Sequence, residues 1–364
     1  MERVSSLRLP IMALVLLALI LAIWAGLIRM GWVVPIIRPT LPAIHGPLMI
    51  GGFLGTLIAL ERAVALQRSW TYAVPLVGGL GAVALILGLS VGPWLITLCS
   101  LGLVAIIGVI LRRHFAFYTV TMAMGAVVWL IGNGLWLAGR ALPMAVPWWV
   151  AFLILTIAGE RLELSRIIRL TSYSYALFTV VLLLILGGLL ISLVDYVAGV
   201  RLVNLGFFAL ALWLAWYDVV RRTVRRPGLT RFIAVNLLLG YFWLGVGGLL
   251  GIRFAGLMAG PAYDAWLHAL LLGFVFSMIF AHAPIILPAV AQITIPFHSV
   301  LYGPVIMMQL GLLIRVVGDL ALWWPVRMWG GLLNGLAILW FFLTIAGLAI
   351  RERRRYKGQL AQRA

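Results

Sequence analysis

Cysteine is nearly missing from this 364-residue chain, which has Cys99 alone; Lys357 is the one lysine, and the acidic residues number nine. A lone thiol in an apolar run excludes a disulfide framework and a thiolate metal cluster. No P-loop, Gly-rich dinucleotide fingerprint, CxxC or CxxCH run is present, which removes the usual nucleotide, dithiol and covalent-haem motifs. No complete catalytic constellation is legible, so the sequence leaves open whether the protein is an enzyme. Charge is scarce too: 10% of residues, where a soluble chain has about 25%.

What fills the chain is apolar, 65% of it. A membrane-crossing helix uses roughly 20 residues, and twelve such runs can be marked. They fall at 10–29, 43–66, 72–91, 93–111, 116–138, 147–168, 174–194, 200–220, 231–251, 264–284, 298–318 and 326–350. Arg112-Arg113, Pro143 and Pro147, Arg225-Arg226-Pro227-Gly228, Pro284 and Pro288 punctuate the joins. Continuous runs of this length are too long for buried strands. The expectation is an all-α, polytopic membrane protein of about twelve spans, with residues 1–364 forming one integral-membrane domain. The first run exceeds a signal-peptide core and is expected to be retained.

The formal charge of +18 would invite a nucleic-acid reading if it were clustered. Counted by loop, it is a topology signal, because Lys and Arg concentrate on the cytoplasmic side. With the N-terminus inside, seven of the 27 cations fall on the outer side: Arg29, Arg38, Arg140, Arg201, Arg253, Arg315 and Arg327. The other 20 lie inside. Both termini are therefore expected in the cytoplasm, and nucleic acid is excluded as a partner. Trp148-Trp149 and Trp323-Trp324 fall where an interfacial aromatic belt is expected. Asn133, Asn204, Asn236, Gln309 and Asn334 are expected to bond between helices. Glu61-Arg62 and Glu160-Arg161, at inner helix ends, offer either ion pairing or a proton entry point.

Ionisable groups inside a span are costly and mark function by default. Of five histidines, His45 and His268 fall near the outer ends of the second and tenth spans. His282 closes the tenth span at the inner side, His298 opens the eleventh there, and His114 follows two arginines at the inner end of the fourth. Counted as ideal α-helix, the 14 residues from His268 to His282 turn through about 1400° and rise about 21 Å. One helix face would then carry two imidazoles at two depths, as stacked haems require. A six-coordinate haem takes two axial ligands, usually His. This makes His45 and His268 the expected axial ligands of a haem b, with Arg38 and Arg253 placed to meet its propionates. His282 with His298 is the expected second haem or copper site, with His114 the weaker alternative. Each histidine also has a bland reading as an interfacial hydrogen-bonder. Gly51, Gly52 and Gly55 give the second span a small-residue surface that a porphyrin or another helix could approach.

The run His45-Gly-Pro-Leu-Met-Ile-Gly-Gly-Phe-Leu-Gly-Thr resembles the His-containing, glycine-rich second helix of NnrS-like membrane proteins. Trp266-Leu-His268-Ala-Leu-Leu-Leu-Gly273, followed by His282-Ala-Pro, is similar to that family's late helix. The resemblance implies haem and copper binding, a place in the bacterial inner membrane and a part in the nitric oxide response of denitrifying bacteria. A more distant architectural likeness links the chain to the catalytic subunit of haem-copper oxidases, whose low-spin haem hangs between the second and tenth of twelve helices. The sixth span here, with Ala158-Gly-Glu160-Arg161, has no His-Pro-Glu, and the seventh has no histidine pair, so an oxygen-reducing site is not expected. The expected function is electron transfer or handling of nitric oxide or redox stress, with a redox protein or quinone as partner. The competing readings are a cofactor-free transporter and a non-catalytic subunit of a respiratory complex.

Overall fold

Backbone polar groups find no partner in hydrocarbon, so an apolar run of this length satisfies them along its own axis, as a helix. A computed structural model describes residues 7–168, 170–291 and 296–361. Among these residues there is no strand, and twelve helices are long and apolar enough to cross a membrane. They are α1 (Arg8–Arg29), α2 (Leu41–Leu66), α3 (Ser69–Ile86), α4 (Gly92–Arg113), α5 (Phe117–Leu137) and α6 (Leu142–Leu164). They continue with α7 (Ser172–Ile191), α8 (Tyr196–Tyr217), α9 (Leu229–Phe254), α10 (Pro261–Pro288), α11 (Ser299–Leu320) and α12 (Trp324–Arg355). Their number is that expected, and no end moves by more than five residues. The protein is built as a multi-pass membrane protein.

The chain forms two compact units, Met1–Arg169 with Leu182–Val203, and Leu170–Val181 with Asn204–Ala364; α7 and α8 contribute a segment to each. In the first unit α5 and α6 pair most extensively, with Trp129 stacked on Phe152 at 4.7 Å. Trp148 and Trp149 are not belt residues, since both are buried. Gly132 of α5 gives Trp149 room to pack, and Trp136 meets it edge-on at 5.6 Å. Trp323 and Trp324, at 60% and 49% exposed, do have a belt's exposure.

In the second unit α11 and α12 pair most extensively, and Phe280 stacks on Phe341 at 4.0 Å. Indole N–H groups tie helices together there: Trp213 donates to the Ser174 carbonyl at 2.9 Å and Trp266 to Asn204 Oδ1 at 2.8 Å. The buried Asp218 carboxylate accepts from Val220 N at 2.7 Å and from the Tyr241 hydroxyl at 2.9 Å.

The prolines expected to end spans lie inside them. Pro143 takes the first turn of α6, where its missing donor costs nothing. Pro147 follows within the same helix and leaves the Pro143 carbonyl without its usual helical donor; the Tyr196 hydroxyl supplies one at 3.1 Å. Pro284 and Pro288 likewise sit within helix, which runs on to Ala291. Neighbouring groups can satisfy what a proline frees, which is why spans tolerate it.

Two segments leave α geometry for the wider π-helix, Leu48–Gly55 in α2 and Ala269–Phe276 in α10. His45 precedes the first by three residues, and His268 directly precedes the second. A hydroxyl residue follows each. Thr56 Oγ1 donates to the Gly51 carbonyl at 3.1 Å, and Ser277 Oγ accepts from Gln309 Nε2 at 3.1 Å. The π segment between His268 and His282 overturns the angular sum made for ideal α-helix, because each wide turn advances less per residue. The two imidazoles therefore cannot be assigned to one face by counting.

Candidate functional site

His45 opens the helical run of α2 in the first unit. Its Nδ1 lies 2.7 Å from the Ala22 carbonyl of α1, and the ring rests on Gly26, where an added Cβ would come 3.0 Å from Cε1. A carbonyl can only accept, so Nδ1 carries the proton; in a neutral ring the lone pair then belongs to Nε2. That is how a histidine is set up for metal ligation, with the far nitrogen donating to a carbonyl or carboxylate. His268, in the second unit, has the same form: Nδ1 is 2.9 Å from the Asp264 carbonyl and 3.3 Å from Asp264 Oδ1. So has His282, with Nδ1 2.7 Å from the Met278 carbonyl.

His298 is used the other way round. Its Nδ1 accepts the Val300 N–H at 3.1 Å, capping the turn Ser299–Leu301, so the lone pair is spent on backbone. His114 is exposed at the end of α4. Arg38 is half-buried and its guanidinium packs directly on Gly88, which has φ +64° and no side chain to collide with it. Arg253 is exposed and lies 5.2 Å over the Phe254 ring. The glycine surface of α2 is occupied by helices: Gly51 faces Ile96, Gly52 faces Ala18 and Ala82, and Gly55 faces the Trp129 indole. Helix packing, and not a porphyrin, fills it.

Four residues at the His268 end of the second unit went unnoticed as a group in the sequence. Arg315 of α11 makes a bidentate pair with Asp264, Nε to Oδ2 at 2.8 Å and Nη2 to Oδ1 at 3.0 Å. Arg327 of α12 lies 3.7 Å from Asp264 Oδ2 and pairs with Asp319 Oδ1 at 2.7 Å. The Asp319 carboxyl faces that of Asp264 and is fully buried. Arg315 and Arg327 had been counted as outer-loop cations, but both are buried. The signal that could have found them is the i, i+4 spacing of Asp264 and His268, with Asp319 one of only nine acids and at the matching end of the next span.

At the other end of α2, Arg62 pairs with Glu160 of α6 and lies 3.6 Å from Glu61. These contacts are the ion pairing expected of the two pairs. Of the amides expected to bridge helices, Asn204 accepts from Trp266, Asn334 donates to the Met308 carbonyl at 3.0 Å, and Gln309 links Trp243 to Ser277. Asn236 instead donates back to Phe232 of its own helix at 2.9 Å, the local alternative open to short amides. Neither polar atom of Asn133 has a hydrogen-bond partner among the described residues.

Among the described residues no three of His, Cys, Asp and Glu gather as ligands for a metal ion. Haem needs no such group, since the porphyrin brings four nitrogens and the protein supplies only axial imidazoles. The donor chemistry of His45, His268 and His282 fits that role. A family model described as a domain of unknown function, DUF8744, matches residues 8–350, nearly the whole chain, and the chain belongs to that family. No curated protein and no solved structure matches it.

Proposed function

We propose that this member of the DUF8744 family is an NnrS-like haem protein of the bacterial inner membrane, serving electron transfer or the response to nitric oxide and redox stress. His45 and His268 would hold the haem through their imidazoles. The observation that carries the reading is a shared contact: in each unit one histidine, beside a π segment, turns Nδ1 to a backbone carbonyl, the orientation that second-shell carbonyls impose on ligating histidines. π segments recur at functional sites. Haem would supply the one-electron chemistry; the chain orients the imidazoles. Two histidines on one iron would leave no open position, which favours electron transfer over gas binding. A second haem or copper at the inner side is supported by His282 and not by His298, whose lone pair is engaged.

The reduced-minus-oxidised absorption spectrum of the purified protein, with haem and metal analysis on the same sample, is the test. Sharp b-type bands and poor carbon monoxide binding are expected, and His45→Ala or His268→Ala should each abolish or convert them. A folded protein without haem from a haem-replete host would refute the reading. That outcome would promote a second one, a cofactor-free transporter, which the buried charges of Arg315, Asp319 and Arg327 and the half-buried Asp264 favour on their own. The cytoplasmic placement of both termini rests on the charge split. Setting aside the buried Arg315, Arg327 and Arg161 and the paired Arg62 leaves it at 18 to 5. A reporter fused at Arg226 should read inside, and an external signal would overturn the orientation.

A further inference from the structure

We propose that Asp264, held by Arg315 and Arg327, is the positioning residue that fixes the His268 imidazole and sets how strongly it donates to iron. The inference rests on the haem reading above. Asp264 is unusual in meeting one ring nitrogen twice, through its carbonyl at 2.9 Å and its carboxylate at 3.3 Å. A carboxylate behind a ligating histidine draws the Nδ1 proton toward itself, makes Nε2 more basic and stabilises the oxidised metal. At the corresponding place His45 meets the neutral Ala22 carbonyl at 2.7 Å.

That carboxylate is not a free rotor. Two forked bonds from Arg315 fix its plane, and Arg327 reaches it from α12 while pairing with Asp319. Side-chain exposure is 9% for both arginines, 19% for Asp264, 14% for His268 and nil for Asp319. Charges this dry act on each other far more strongly than in water. The arginines therefore have two opposed effects on the imidazole. They hold the carboxylate in place, and they withdraw part of its charge. Arg315 acts on the imidazole through the carboxylate of Asp264, which makes the sign of each substitution a prediction.

The midpoint potential of the b-type band, from a spectroelectrochemical titration of the full-length protein in detergent, is the readout. Asp264→Asn removes the negative charge behind His268. It should raise the potential and weaken haem retention about 10–100-fold, as outer-shell changes do. Arg315→Gln frees that charge from its partner and should lower the potential. Because Arg315→Gln leaves a buried carboxylate short of a cation, the double variant Asp264→Asn with Arg315→Gln is measured too. It removes one charge of each sign, should fold, and should return toward the wild-type potential. Asp264→Glu, which keeps the charge, should shift it least. Opposite shifts in the single variants support the inference. Shifts of the same sign, or unchanged potentials with haem fully retained, overturn it and leave the haem reading intact. A wild-type protein without haem removes both.

Discussion

α2 and α10 share a plan and differ in what surrounds it. Each carries a histidine with Nδ1 turned to a carbonyl, then an eight-residue π segment, then a hydroxyl residue. In α2 the carbonyl belongs to another helix, and the charges sit at the opposite end, where Arg62 meets a Glu160 that is 23% exposed. In α10 the carbonyl comes from the same helix, and a fully dry acid lies in the charge group beside the histidine. The same local device is thus held by helix packing in one unit and by ionic clamping in the other. A ligand in the second should respond to charge substitutions that leave the first unmoved.

Removing a cation at each end sharpens this contrast and should give the largest effect. Arg327→Met strands the fully buried Asp319, so a loss of about 3–5 kcal/mol is expected. Arg62→Met leaves Glu160 some access to solvent and should cost less, about 1.5–3 kcal/mol, the worth of a charged hydrogen bond. Denaturant unfolding of the detergent-solubilised variants compares them. Equal losses would mean that the two ends are equally dry.

The smallest effect concerns the hydroxyls that follow the π segments. Thr56→Val removes one donor from the Gly51 carbonyl and should cost about 0.6 kcal/mol, typical of a polar contact within a bundle. Ser277→Ala leaves the Gln309 amide without that acceptor while Trp243 still holds its oxygen. About 1 kcal/mol is expected there, since an unmet, partly buried donor loses much of its desolvation energy. The same unfolding measurement ranks the two, and a larger loss at Thr56 would show that the π turn itself depends on its hydroxyl.

The twelve spans were legible because lipid imposes one rule on every residue of a run: stay apolar and close the backbone on itself. His45 and His268 stood out for the same reason, as ionisable groups where few are tolerated. The carbonyl that each Nδ1 meets was not legible, because Ala22 and Asp264 act through backbone groups that every residue possesses. The prolines misled, since Pro147 reads as a break and the hydroxyl that repairs it lies 53 residues away on Tyr196. Trp148 and Trp149 misled too, because burial on α5 depends on which face of α6 turns inward.

The sequence by itself determined the class, the number of spans and the positions of the rare polar groups, all of which follow from how each residue partitions between water and lipid. Tertiary structure alone decided which charges meet. Asp264, Arg315, Asp319 and Arg327 sit on three helices, and Arg315 and Arg327 read as loop cations until α10, α11 and α12 bring them together. It also decided where the helix widens into π turns, since that depends on neighbours that accept the shifted side chains. Partitioning is a property of a residue, whereas pairing is a property of two, and only the fold chooses the second.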